Sequence, residues 1–167
     1  MFDIATCTLL QQCTTSPPSN EYLSGAWTSI LFTLFPRSDY VLSPHRRRNH
    51  VSDLVIEVLK LITLTPSLQF RTVLIVEIKN SQGWEAGIPS LERQINRLAV
   101  AAFSGTDISM GTTISKVYWI AVIGPHWRYG IKEDGQDLRP LIAWHETTHD
   151  QASYDDFGRL TTLIADM

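Results

Sequence analysis

The chain has little cysteine, and the two residues it has cannot cross-link a fold. Cys7 and Cys13 both lie near the N-terminus, and the sequence has neither a Cys-x-x-Cys motif nor the Cys/His spacing of a zinc site. Small secreted domains usually depend on disulfides, so this cysteine usage indicates a reducing compartment. We expect an intracellular protein of the cytoplasm or nucleus.

Long apolar runs are also missing from the sequence. The longest uninterrupted apolar stretches fall well short of the roughly 18 to 20 residues that a membrane-spanning helix needs. The first ten residues lack the basic start and the long apolar core of a signal peptide. We therefore expect no signal peptide, no transmembrane segment and no membrane partner.

The chain has no excess of positive charge. It carries 14 Lys and Arg against 17 Asp and Glu, which gives a formal net charge of −3 over 167 residues. A strongly basic domain is excluded, so any polyanion must be held by a local patch or through a metal ion. The length fits one domain, which at this size buries about 70% of its unfolded surface.

The apolar pattern predicts an α/β fold with a central mixed sheet flanked by helices. Residues 1–18 are expected to form an irregular lead-in, followed by a single domain over 19–167 with a core at about 20–123 and an extension over 124–167. The expected core elements are a helix over 21–35, strands over 39–44, 51–62 and 70–79, a helix over 89–103 and a strand over 116–123. The expected C-terminal elements are a β-hairpin from 127–132 and 141–144 and a closing helix opened by a capping box at Ser153. The second and third strands are apolar on both faces, which is typical of the centre of a sheet covered by helices.

Two charges end the third predicted strand. Glu77 and Lys79 share one face of this strand because side chains repeat every two residues. Charged residues seldom end a buried strand without a functional or structural reason. Asp53 opens the preceding apolar run, so pairing of the two strands is expected to bring it beside Glu77. Carboxylates on strands about 4.8 Å apart can share one divalent ion.

The element order and the Asp…Glu-x-Lys pattern resemble the PD-(D/E)XK nuclease superfamily, which has the restriction-endonuclease-like αβββαβ core. The resemblance covers well over half of the chain. It implies that Asp53, Glu77 and the backbone carbonyl of Ile78 hold Mg²⁺ or Mn²⁺. It also implies that Lys79 orients the attacking water or stabilises negative charge, and that Gln94 on the following helix lies near the metal.

The resemblance implies a metal-dependent nucleic-acid phosphodiesterase, an endonuclease acting on DNA rather than RNA and working as a homodimer if it cuts both strands. The alternative is a catalytically inactive member that serves as a nucleic-acid-binding or protein-interaction module. Leu98 stands where many members have Tyr, and this departure and the low net charge favour the alternative. The intact Asp53, Glu77 and Lys79 favour the enzyme.

Some candidate residues have two readings that the sequence leaves open. The basic run Arg46, Arg47 and Arg48 either contacts phosphate at the mouth of the expected cleft or is an ordinary solvated connection. Glu57 shares a strand face with Asp53 and is either a further ligand or a solvated charge. Gln94 itself either belongs to the metal shell or makes a plain hydrogen bond.

Aromatic and histidine residues near the C-terminus have similarly open readings. Trp127 and Tyr129 flank an arginine, as residues that stack on nucleic-acid bases do, but packing in an extension of the sheet is the favoured interpretation. His145 and His149 are four residues apart, as in a helical metal pair. They lie in a turn-rich segment without a third ligand nearby, so we do not predict a metal there.

Overall fold

This computed structural model describes residues 2–15, 20–36, 38–46, 54–64, 67–79, 84–104 and 115–167. The helices are α1 (Ile4–Thr15), α2 (Asn20–Leu34), α3 (Trp84–Ser104) and α4 (Gln151–Ala165). The strands are β1 (Tyr40–Arg46), β2 (Leu54–Leu64), β3 (Ser67–Lys79), β4 (Lys116–Ile123), β5 (His126–Glu133) and β6 (Arg139–Pro140). None of the helices in the described ranges is long and apolar enough to cross a membrane.

The strands form one six-stranded mixed sheet in which spatial order follows chain order, from β1 to β6. Strands β3 and β4 are parallel, and every other neighbouring pair is antiparallel. A parallel pair cannot be joined by a tight turn and requires a long crossover, which here contains α3. The predicted α/β class and mixed sheet are therefore confirmed.

The sheet is covered on both faces, with a different set of helices on each. Helices α1, α2 and α4 pack on one face, against alternate residues of β2 to β5 such as Ile56, Val76 and Ile120. Helix α3 packs on the other face, against residues such as Ile75 and Trp119. We call this second side the α3 face. The central strands are thus apolar on both faces, as predicted from their composition.

The irregular lead-in predicted over residues 1–18 is wrong, because most of this segment forms α1. The Asp3 carboxylate accepts a hydrogen bond of 2.8 Å from the backbone N–H of Thr6 and so caps the start of the helix. Phe2 and Leu10 are buried in the core, where α1 packs against α2. The apolar residues of this helix do not form a clear stripe, so tertiary packing rather than periodicity determines its structure.

Helix α3 begins earlier than its sequence predicts. The Pro89-Ser90 pair predicts a helix start near residue 89, but the structure has the helix from Trp84, with Pro89 in its second turn. Proline is normally placed in the first turn because the N–H groups there have no partner within the helix. At its observed position Pro89 removes one helical hydrogen bond, to the carbonyl of Glu85.

Helix α4 also has a different cap from the one predicted at Ser153. Asp150 is the N-cap, and its carboxylate accepts a hydrogen bond of 2.8 Å from the backbone N–H of Ser153. Partial burial acts to raise the pKa of Asp150, but the hydrogen bonds from Ser153 outweigh it and hold that pKa below its ordinary value. The ionised carboxylate is therefore the form that stabilises the helix.

The predicted packing role of Trp127 is confirmed. Its indole is fully buried and lies parallel to the ring of Phe157, with centroids 4.1 Å apart. The indole N–H donates to the carbonyl of Thr147 at 2.8 Å, which ties β5 to the segment leading into α4. The second hairpin strand predicted over 141–144 is wrong, since β6 contains only Arg139 and Pro140 and is followed by an isolated bridge between Trp127 and His145.

Replacing Gly130 with alanine should destabilise the fold. An added Cβ would overlap with the indole of Trp119 and with the backbone carbonyl of Arg139, so either the core or β6 must shift. We expect a loss of about 1–3 kcal/mol in the free energy of unfolding, measured by urea denaturation. The matched control is Gly158→Ala in α4, where a Cβ meets nothing within 4 Å and a gain of about 0.5–1 kcal/mol is expected. Equal effects at both positions would contradict the described packing.

Removing the carboxylate of Asp150 should destabilise α4 in a pH-dependent way. We expect Asp150→Ala to cost about 0.5–2 kcal/mol at neutral pH, and Asp150→Asn to cost less because Asn also caps helices well. Since folding lowers the pKa of Asp150, its charged contribution is present above the unfolded pKa and is lost as the pH falls through the folded pKa. The stability gap between wild type and Asp150→Asn should therefore shrink in acid, and a pH-independent gap would contradict the pKa direction.

Candidate functional site

The carboxyl end of β3 has a buried carboxylate on the α3 face. Glu77 has 0% exposed surface, and its neighbours in the sheet are Val55 on β2 and Ala121 on β4. Ile78 is 2% exposed and packs in the core on the opposite face. Alternation along the strand puts Lys79 on the same face as Glu77, as the sequence predicts.

Helix α3 lies directly over this end of the strand. The Lys79 ammonium donates a hydrogen bond of 2.8 Å to the hydroxyl of Ser90, in the second turn of α3. Gly87, in the first turn, is so close to the sheet that an added Cβ would lie 3.3 Å from the side chain of Ile123. Ile123 is the neighbour of Lys79 on β4. The start of α3 therefore sits over the carboxyl ends of both parallel strands.

The register of α3 along β3 is set at two points. At one point Ser90 contacts Lys79. At the other, Leu98 packs against the apolar cluster that contains Ile75. Ser90 and Leu98 lie on one side of the helix because residues four apart share a face, and Ile75 and Lys79 share a face of the strand. The helix thus runs antiparallel to β3, with matched positions along their lengths.

From matched step lengths we infer that Gln94 lies near Glu77. Four residues of helix rise about 6 Å, and two residues of strand extend about 6.6 Å. Gln94 is halfway between the two contact points on α3, and Glu77 is halfway between them on β3. The side-chain oxygen of Gln94 is buried and has no hydrogen-bond partner among the described residues. We therefore expect an amide oxygen and a carboxylate at similar positions between helix and sheet.

These groups are of the kind that a hard divalent cation prefers. Mg²⁺ binds oxygen ligands, commonly one or two carboxylates together with water and substrate phosphate. The carboxylate of Glu77 and the free amide oxygen of Gln94 fit that donor set, and Ile78 contributes a backbone carbonyl at the same strand end. Across the described ranges, no three His, Cys, Asp or Glu side chains form a group able to hold a metal.

Several residues predicted for the site lie outside the described ranges. These are Asp53, Arg47 and Arg48. Arg46 is the last residue of β1, and its backbone is opposite Leu54, which is in turn opposite Ile78. The C-terminal end of β1 is thus at the same end of the sheet as the Glu77-x-Lys79 pair.

Glu57 contacts a histidine of the edge strand. Its carboxylate is 3.9 Å from Nε2 of His45, and its side chain is 26% exposed. The same Nε2 atom is 3.1 Å from the hydroxyl of Ser43. A catalytic relay uses the two different ring nitrogens of histidine, so Ser43, His45 and Glu57 do not form a nucleophilic triad.

A second polar cluster lies at the start of α4, on the other face of the sheet. Nε2 of His145 is 2.8 Å from the carboxylate of Asp156, and its ring stacks on Trp127 with centroids 4.8 Å apart. Nδ1 of His149 is instead 2.7 Å from the hydroxyl of Thr147. The two histidines therefore have separate partners and do not form a metal pair. This cluster connects α4 to β5.

Ser90 is the site residue that the sequence interpretation missed. Because Ser90 follows Pro89, the sequence suggests only a role at the helix start. Ser90 is also four residues before Gln94, so the two side chains lie on one side of the helix. Polar residues at positions 90 and 94, followed by the apolar Leu98 on the same side, would indicate that this side of the helix faces a partly polar strand. The predicted helix over 89–103 already contains these positions, but the sequence does not give the offset of α3 along β3 that brings Ser90 to Lys79.

No family model matches the chain, and neither a curated protein nor a solved structure matches it significantly. The functional argument therefore depends on the chain's own residues and geometry.

The inferred proximity of Glu77 and Gln94 can be tested by a double-mutant cycle. We expect Glu77→Gln and Gln94→Ala to affect stability non-additively, with a coupling energy of about 0.5–3 kcal/mol measured by urea unfolding. Arg97→Ala is the matched control, because Arg97 is exposed on the same helix and its effect should add to that of Glu77→Gln. Additivity of Glu77→Gln with Gln94→Ala would contradict the placement.

Proposed function

We propose that the chain is a Mg²⁺- or Mn²⁺-dependent phosphodiesterase acting on nucleic acid, an endonuclease of the PD-(D/E)XK type. The observation that carries the proposal is the fully buried Glu77 at the carboxyl end of β3, on the same face as Lys79 and beneath the helix that carries Gln94. DNA is the proposed substrate, in preference to RNA.

The order of elements supports a restriction-endonuclease-like core. From α2 onward the chain runs helix, three antiparallel strands, crossover helix and a parallel fourth strand, which is the αβββαβ order. Strands β5 and β6 and helix α4 extend this core on one side. In such an arrangement the (D/E)-x-K residues are expected at the end of the third strand, where Glu77 and Lys79 stand.

Chain connectivity supports the inclusion of Asp53. The α-carbon of Asp53 is about 3.8 Å from that of Leu54, as for any consecutive residues. Leu54 is the register partner of Ile78, and neighbouring strands are about 4.8 Å apart. Asp53 itself lies outside the described residues, and we assign it to the site as the second carboxylate that would hold the ion.

In the proposed site the protein groups have separate tasks. A bound Mg²⁺ would polarise the phosphodiester and lower the pKa of a coordinated water. Asp53, Glu77 and the carbonyl of Ile78 would hold the ion, with Gln94 beside it. The Lys79 ammonium would orient the attacking water or stabilise the negative charge that develops on the phosphate oxygens.

The basic segment and a second copy of the chain complete the proposal. Arg46, Arg47 and Arg48 would contact the phosphate backbone, since β1 ends at the same sheet edge as the site. Such contacts position a duplex without reading its sequence.

A single site cuts one strand, so cutting of both strands would require a homodimer.

Metal binding and cleavage provide the direct test. We expect Mn²⁺ or Mg²⁺ to raise the melting temperature of the wild type, because a ligand at 100 times its Kd stabilises by about 2.7 kcal/mol. We also expect metal-dependent cleavage of mixed DNA substrates. Glu77→Gln and Asp53→Ala should lose both effects, whereas Lys79→Met should keep the thermal shift and lose cleavage.

The matched control for Lys79 is Lys116→Met. Lys116 is on the other face of the sheet, with its ammonium over the ring of Tyr118, and at the opposite end of the parallel pair, opposite Glu133, so its loss should leave cleavage unchanged. Nucleic-acid binding without cleavage in every substrate class would favour the inactive binding module over the enzyme. Absence of both metal response and nucleic-acid binding would contradict both proposals.

A further inference from the structure

We propose that Ser90 is the positioning residue for Lys79, holding its ammonium at the place where it meets the scissile phosphate. This inference rests on the proposed function and names a residue of that site that the Asp…Glu-x-Lys…Gln pattern does not include. The contact that carries it is the 2.8 Å hydrogen bond from the Lys79 ammonium to the Ser90 hydroxyl.

The contact differs from that of several other helical hydroxyls in this chain. Five other Ser and Thr hydroxyls in helices donate to the carbonyl four residues earlier in their own helix; these residues are Thr8, Thr28, Thr33, Ser104 and Thr162. Such bonds are local and have no tertiary role. The hydroxyl of Ser90 instead accepts a hydrogen bond from a side chain eleven residues away, on the sheet.

The geometry suits a lysine that acts as a positioned charge. A lysine side chain carries about 2 kcal/mol of rotamer entropy, so an untethered ammonium samples many positions. Ser90 uses one of the three N–H donors of Lys79, and among the described residues the structure records no acceptor for the other two. Those two donors can therefore reach water and a phosphate oxygen.

The anchor itself is held rigidly. Ser90 follows Pro89, whose ring fixes the backbone in the second turn of α3. One turn earlier, Gly87 allows the helix to approach Ile123 closely. One residue later, Leu91 is fully buried against the sheet. A side chain on a packed helix is better preorganised than one on a loop, which is what a catalytic charge requires.

Steady-state kinetics of Ser90→Ala test this role. We expect kcat to fall about 10- to 100-fold, as is typical when a group that orients a site residue is removed, with KM and Mn²⁺ affinity unchanged. Ser90→Thr keeps the hydroxyl and should restore most of the activity. Ser104→Ala, which removes a hydroxyl bonded only within α3, is the matched control and should have wild-type kinetics.

Two further measurements separate positioning from a general structural effect. In a Lys79→Met background, Ser90→Ala should lower kcat no further, because Ser90 acts through Lys79. In metal-free protein, NMR relaxation of the Lys79 ε-methylene should report greater mobility in Ser90→Ala than in wild type or Ser104→Ala.

The outcomes distinguish the two proposals. An active wild type whose Ser90→Ala variant has the same kcat, or a Lys79 side chain equally mobile in both proteins, would overturn the role of Ser90 alone. A wild type without cleavage of any nucleic acid would overturn the proposed function, and the role of Ser90 in catalysis with it.

Discussion

The position of β3 is the constraint on which the rest of the structure depends. Its C-terminal half is hydrogen-bonded to a strand on each side and covered by helices on both faces, so the side chains of residues 73–78 are buried. A carboxylate in such a strand is costly unless polar or charged groups inside the protein compensate for it. Because Glu77 is 0% exposed, the elements around it must provide polar or charged groups.

Helix α3 is the element that covers Glu77, because the crossover brings it onto the same face. The parallel pairing of β3 with β4 forces the chain across the sheet, and α3 packs on both strands as it crosses. Its apolar side, with Leu91 and Ile95, packs on β4, while the row from Ser90 to Leu98 follows β3. One helix thus closes the α3 face and holds the Lys79 ammonium through Ser90.

The other face of the sheet joins the C-terminal extension to the core. Trp127 is stacked between His145 and Phe157 and bonded to the chain before α4. These contacts join the C-terminal extension to the core without placing charged groups at the carboxyl ends of β3 and β4. The α3 face is also largely apolar, but it carries Glu77 and the Lys79–Ser90 bond, so substitutions of these polar residues should affect function more than substitutions on the other face.

Composition and periodicity predicted the parts of the fold that depend on single elements. The apolar runs of β2, β3 and β4 indicate a central sheet, and alternation alone puts Glu77 and Lys79 on one face. Helix α1 could not be predicted because its stability comes from packing by residues such as Leu10. The start of α3 was misplaced because Pro89 is tolerated in its second turn.

The contacts between elements required the structure. The bond from Lys79 to Ser90 depends on the offset of α3 along β3, and no local pattern encodes that offset. Gln94 was identified from its place in the pattern of a family that the chain resembles, and its expected position near Glu77 is inferred from the two points that fix the helix on the strand. Sequence reasoning thus found the residue types of the site and could not find how they are held.

The most direct test of the account is a crystal structure of the protein grown with Mn²⁺ and analysed by anomalous scattering. The account predicts one ordered ion coordinated by a carboxylate oxygen of Glu77, at the roughly 2.1 Å typical of such small divalent ions, on the side of the strand that faces Gln94. A saturating Mn²⁺ concentration that leaves no anomalous peak at Glu77 would contradict it.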